Sequence, residues 1–153
     1  MDFIRKARFV AGGHTIEAPS AITYSSVLLR ESVRLAFMIA ALNGLDIISC
    51  DLENAYLNAT NREKIWFEGG IEGGEDKGKV LVVVRALYGL KSAGSAWRVA
   101  LAEALVQLGF KSTRDDPDVW IRAAVCLDGG KYYEMLFYML MKYWRSHTKQ
   151  RKL

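Results

Sequence analysis

Apolar positions Val27, Leu28, Val33, Leu35, Ala36, Phe37, Ile39 and Ala40 form a wide stripe at helical spacing. Ser25 or Ser26 stands where an N-cap belongs, and Asn43-Gly44 stands where a helix stops. The pattern predicts a helix reaching about Leu42 and packing against a sheet. The period then changes to a β-rich run, Leu45-Asp46-Ile47-Ile48-Ser49-Cys50-Asp51, which predicts a buried strand ending on a carboxylate. Asn54-Ala55-Tyr56-Leu57-Asn58 follows as a tight turn or short helix. Residues 64–68 and 79–85 read as strands on either side of a glycine-rich hairpin loop, 69–78. Residues 93–108 give a second amphipathic helix, stopped by Gly109. Residues 119–123 and 131–138 give a second strand pair around Asp128-Gly129-Gly130. Ahead of these elements, Arg5-Lys6-Ala7-Arg8-Phe9-Val10-Ala11 is a short, partly basic strand running into Gly12-Gly13, and 15–24 is an irregular connection. The order helix, strand, hairpin, helix, hairpin predicts an α+β architecture: an antiparallel or mixed sheet with two helices packed on one face.

Composition narrows the class. The 153 residues suit one domain with a real core, and 51 % apolar with 25 % charged residues is ordinary for a globular chain. No apolar run approaches the roughly 18 residues that span a bilayer, and Met1-Asp2-Phe3-Ile4-Arg5 lacks the apolar core of a signal peptide. Cys50 and Cys126 read as reduced core thiols without a disulfide partner, so an intracellular location, cytoplasmic or nuclear, is expected, with no membrane partner. The net charge of +4 is misleading. Lys142, Arg145, Lys149, Arg151 and Lys152 crowd a terminal stretch that holds no acidic residue. Without those five of its 21 basic residues, the body is slightly acidic against its 17 Asp and Glu. Overall pI therefore says nothing about nucleic-acid binding by the domain.

A carboxylate at the end of a buried strand, as Asp51 is predicted to be, is placed to hold a divalent cation at a sheet edge. An aspartate that merely caps the following turn fits the spacing equally well. Tyr56 either lies over the same pocket or belongs to the core, and Tyr88-Gly89-Leu90-Lys91 is a turn carrying one basic side chain. Lys6 and Arg8 are phosphate contacts or a solvated basic strand; His14 and His147 have no partners at metal-ligand spacing.

Taken together, these strings resemble the reverse transcriptase domain of copia-type retrotransposons over residues 5–138. Lys6-Ala7-Arg8-Phe9-Val10-Ala11 resembles a fingers strand. Thr23-Tyr24-Ser25-Ser26-Val27, Ser32-Val33-Arg34 and Ile39-Ala40-Ala41-Leu42-Asn43 resemble the helix before the first catalytic strand. Asp51-Leu52-Glu53-Asn54-Ala55-Tyr56-Leu57-Asn58 resembles the motif of the first catalytic aspartate. Arg85-Ala86-Leu87-Tyr88-Gly89-Leu90-Lys91-Ser92, with Trp97, resembles the turn and helix that contact template and nucleotide. Gly109-Phe110 and Asp116-Pro117-Asp118-Val119-Trp120 resemble the approach to the final hairpin. Order and spacing carry the resemblance more than any single string.

The resemblance implies part of the fingers and the palm of a right-hand polymerase, over residues 1–140. It implies RNA or DNA template-primer and dNTP as partners, with two Mg²⁺ ions roughly 3.5–4 Å apart. Asp51 would bind the metals, and Leu52, Glu53 and Asn54 would lie along the triphosphate. Ala55 belongs to the same nucleotide-binding segment, and Tyr56 would pack under the sugar and exclude a 2′-hydroxyl. Tyr88, Gly89 and Lys91 would line the nucleotide and template side; Lys6 and Arg8 would touch phosphates. The sequence then departs from the family. Where the family follows Met135-Leu136-Phe137-Tyr138 with a hydrophobic residue and two aspartates, this chain reads Met139-Leu140-Met141-Lys142, and no acidic residue follows. The 141–153 stretch is a basic tail without family resemblance, expected to be disordered or a helical extension and suggestive of a shifted reading frame. Earlier fingers strands, thumb and RNase H region have no counterpart. The expectation is a reverse transcriptase domain inactive as written; a non-catalytic nucleic-acid-binding module using the tail, or a chain that does not fold, are the alternatives.

Overall fold

Ala93, Trp97, Leu101 and Leu105 fall four residues apart, and helix α2 (Ala93–Gln107) turns them onto one face that carries the core. Gly109 ends it in the left-handed conformation at φ +84°. The Gly109 N–H then donates to the Val106 carbonyl and the Phe110 N–H to the Leu105 carbonyl. The computed structural model describes residues 9–13, 17, 19, 23–125 and 129–138. Their order is α1 (Arg30–Asn43), a 3-10 turn (Ala55–Asn58), β1 (Trp66–Glu68), a 3-10 turn (Ile71–Asp76), β2 (Val80–Val82), α2, β3 (Lys111–Ser112), β4 (Val119–Val125) and β5 (Lys131–Phe137).

The α+β class holds, built on two separate antiparallel sheets: β1–β2, and β3–β4–β5 in that order. In the first, Phe67 pairs with Leu81 on the half-buried side, while Trp66, Val80 and Val82 face outward. In the second, β4 and β5 run in register from Val119↔Phe137 to Val125↔Lys131. Trp120 and Leu136 pair across them and pack with Leu105 and Phe110 of the α2 segment. The larger core cluster is Ala59, Val83, Ala86, Leu90, Ala93, Trp97 and Tyr138, and Leu101 touches both clusters. Val10 bridges to Tyr88 in parallel, and the Ala11 N–H donates to the Tyr88 carbonyl at 2.7 Å. Two glycines make that contact possible. A Cβ on Gly13 would stand 1.9 Å from the Gly89 carbonyl oxygen, and one on Gly89 (φ +92°) would stand 2.0 Å from that of Ala11.

Four expectations are corrected. Residues 45–51 form no strand: apart from half-buried Leu45 the run is exposed, Ile48 at 90 %. β propensity is realised only where a neighbouring strand offers its edge, and no described strand pairs with this run. Cys50 is consequently an exposed free thiol, not a core one; Cys126 lies outside the described residues. Helix α1 begins at Arg30 with Leu29 as its N-cap, not at Ser25 or Ser26, because a distant carboxylate serves its first turn. Nor does α1 pack broadly on a sheet: Ala40 is its one buried residue, and Leu35, Phe37, Met38 and Leu42 are more than half exposed. Its Gly44 end is as expected, left-handed at φ 62°. Among the described residues no helix is long and apolar enough to cross a membrane. The basic tail, His14, His147, Lys6 and Arg8 lie outside the described residues.

Candidate functional site

Asn54 begins the local architecture. Its left-handed backbone (φ 51°, ψ 37°) suits a short polar side chain. Its carbonyl accepts from the Leu57 N–H at 2.8 Å and the Asn58 Nδ2–H at 3.3 Å, closing the 3-10 turn. That turn points Ala55 and Tyr56 at the core cluster of Leu90, Trp97 and Tyr138. The turn 88–91 arrives from the other side, fixed by the Gly13–Gly89 contact. Tyr56 and Tyr88 thus meet with ring centroids 4.7 Å apart, tilted by 52°, an attractive arrangement for two aromatic quadrupoles. Burial, then the neighbouring Tyr88, raises the Tyr56 phenol above its ordinary value.

Behind this pair lies a polar cluster. Tyr138 is buried, and the Tyr138 N–H donates to the Asp118 carbonyl at 3.0 Å. Arg98 Nε donates to Asp118 Oδ1 at 3.0 Å. Asp118 is 1 % exposed, and its Oδ2 has no hydrogen-bond partner among the described residues. The Tyr138 hydroxyl likewise lacks a hydrogen bond of good geometry, although the Trp97 indole approaches it. Burial pushes this phenol well above the usual range; Tyr56 and Asp118 push the same way, and Trp97 and Arg98 oppose.

The sequence-predicted residues are therefore only partly gathered. Ala55, Tyr56 and Tyr88 share the core edge, with Gly89 in the turn and Lys91 exposed beside it. Asp51, Leu52, Glu53 and Asn54 lie in the exposed stretch 46–54. A cavity of about 290 Å³ lies elsewhere, between Asn58, Thr60 and Arg62 and the Ala96, Ala100, Glu103, Ala104 and Gln107 side of α2, and no predicted site residue lines it. Among the described residues, no three His, Cys, Asp or Glu side chains come together as a cation cage.

Sequence reasoning missed the Arg98–Asp118–Tyr138 cluster. The signal was present: alternation puts Asp118 on the buried side of Trp120, and a buried carboxylate calls for a cation, which Arg98 supplies from beside Trp97.

Comparison with known proteins adds an independent line. The family described as reverse transcriptase (RNA-dependent DNA polymerase) matches residues 2–127. The chain is 31 % identical over 121 residues to the Retrovirus-related Pol polyprotein from transposon RE1 of Arabidopsis thaliana. It is 32 % identical over 122 residues to that from transposon RE2 of the same plant. It is 28 % identical over 123 residues to that from transposon TNT 1-94 of Nicotiana tabacum. Each match takes in 76 % of this chain but only 8 or 9 % of the relative, so the chain spans less than a tenth of these proteins' length. No solved structure matches the chain.

Proposed function

Because the chain belongs to the reverse transcriptase (RNA-dependent DNA polymerase) family, with copia-type retrotransposon Pol polyproteins as relatives, we propose that it carries part of the fingers and palm of a right-hand polymerase. The parent reaction is template-directed transfer of a deoxynucleotide to a primer 3′-hydroxyl. In this reading Asp51 is the reacting-site carboxylate, and the backbone of 52–54 follows the triphosphate. Tyr56 packs under the sugar, Tyr88, Gly89 and Lys91 line the nucleotide and template side, and Lys6 and Arg8 touch phosphates. The Tyr56–Tyr88 contact supports this, since an aromatic floor gives a base or sugar a flat surface to pack on.

The reading also holds that the chain does not extend a primer, and the carboxylate set carries that conclusion. Two Mg²⁺ ions bring four positive charges and demand several hard oxygen ligands. Asp51 supplies one carboxylate, no described trio of acidic, His or Cys side chains joins it, and no acidic residue follows Tyr138. The residues present do not fit the ion pair. Calorimetric titration of the whole chain with Mg²⁺ tests this. The expected result is no saturable two-ion binding. Two sites that vanish together in Asp51→Asn would overturn the reading.

Charge distribution favours a second reading, a non-catalytic nucleic-acid-binding module. Five basic residues and no acidic one occupy 142–153, while the body is slightly acidic. If the tail is the binder, its deletion abolishes template binding and flattens the salt dependence, which scales with the phosphates neutralised. Binding that survives the deletion with its slope unchanged excludes the module.

A further inference from the structure

Helix α1 is held by little apolar contact. Leu28 just before it and Ala40 within it are buried, while most of its large side chains are exposed. Its first turn is fastened instead by Asp116, whose Oδ2 accepts from the Leu29 N–H at 3.0 Å and from Ser32 Oγ at 2.6 Å. These partners are 87 and 84 residues away in sequence. Leu29 has no side-chain oxygen, so the distant carboxylate does what a local cap otherwise does, with its charge at the positive end of the helix dipole. Asp116 is itself rigidly held. Its Oδ1 accepts from the Asp118 N–H at 3.1 Å, and its carbonyl accepts from Thr113 Oγ1 at 2.7 Å and the Val119 N–H at 3.0 Å. The far end of α1, at Gly44, leads directly into the exposed run that ends on Asp51.

We propose that Asp116 is a positioning residue for Asp51: it clamps the start of α1 to the root of strand β4, and the helix transmits that position to the segment carrying Asp51. The proposal rests on the reading of Asp51 as the reacting carboxylate. The lever is long. A 14-residue helix runs about 20 Å, so a tilt of about 10° moves its far end by about 3–4 Å. Asp116 touches no substrate in this arrangement; it acts through the helix.

Two measurements on the full chain test it. Hydrogen exchange in the α1 peptide should accelerate about tenfold or more in Asp116→Ala, and about threefold in Ser32→Ala, which removes a single hydrogen bond. The α2 peptide should stay unchanged. For position, one nitroxide is placed on Cys50 and another at Gln107→Cys, in a chain carrying Cys126→Ser. The interspin distance distribution should widen in Asp116→Ala and recover most of its width in Asp116→Asn, which keeps an acceptor oxygen. Unchanged exchange in α1, or an unchanged distribution in Asp116→Ala, overturns the proposal. If Asp116→Ala does not fold, Ser32→Ala carries both readouts. The spin distance reports where the segment lies whether or not Asp51 reacts, so failure of the Asp51 reading leaves a separate signature.

Discussion

Tyr138 shows how a single buried side chain is constrained by what it lacks. Among the described residues its hydroxyl has no good hydrogen bond to lose, so Tyr138→Phe removes an unsatisfied group rather than an interaction. Stability of Tyr138→Phe at neutral pH should stay within about 1 kcal/mol of the parent, or rise. The pH dependence has a definite sign. A phenol raised above its unfolded value of 10.0 contributes stability fully present below pH 10, lost as pH rises through the folded value. Tyr56 is raised as well and adds to the same alkaline loss. Denaturation at pH 7 and at about pH 11 should show a shallower alkaline loss for Tyr138→Phe. A loss above about 1.5 kcal/mol at neutral pH would mean the hydroxyl has a partner after all. Asp116 runs the other way. Burial opposes its charge, but hydrogen bonds from Ser32, Leu29 and Asp118 outweigh burial and hold the carboxyl below its ordinary 3.8. Its contribution is present above that value and lost as pH falls below it.

At the scale of elements, the turn 88–91 is the junction on which the Tyr56–Tyr88 pair depends. Gly89→Ala meets both a disallowed φ and the Ala11 carbonyl, so it should cost about 2 kcal/mol or more. It should also separate the two tyrosines, read as a change in near-ultraviolet circular dichroism. A parent-like urea midpoint would contradict the observed approach. Periodicity was informative where an element packs against its own sequence neighbours. Helix α2, both hairpins and the Gly44 and Gly109 stops follow from spacing and turn chemistry, because local residues satisfy them. It misled where the partner is remote. Residues 45–51 have the composition of a strand but no paired edge, and the first turn of α1 is capped from Asp116 rather than from Ser25 or Ser26. The Tyr56 and Tyr88 positions were legible as motif residues. Their contact depends on tertiary closure that no local pattern encodes, whereas the burial of Asp118, and with it the need for a cation such as Arg98, is readable from the alternation beside Trp120.

At the scale of the whole molecule, the two core clusters among the described residues are modest and their exposed apolar surface is extensive. Phe37, Met38 and Leu42 on α1, Ile47 and Ile48 after it, and Trp66, Val80 and Val82 on the first hairpin are all more than half exposed, a load of apolar surface that favours association. Against that background, we propose that this chain, with Asp51 as its one candidate reacting-site carboxylate, does not transfer nucleotides. The most direct measurement is primer extension by the purified chain on RNA and DNA templates, with Mg²⁺ and all four dNTPs, beside an Asp51→Asn chain. The expected result is no product above background from either chain. Product from the parent that disappears in Asp51→Asn would contradict it.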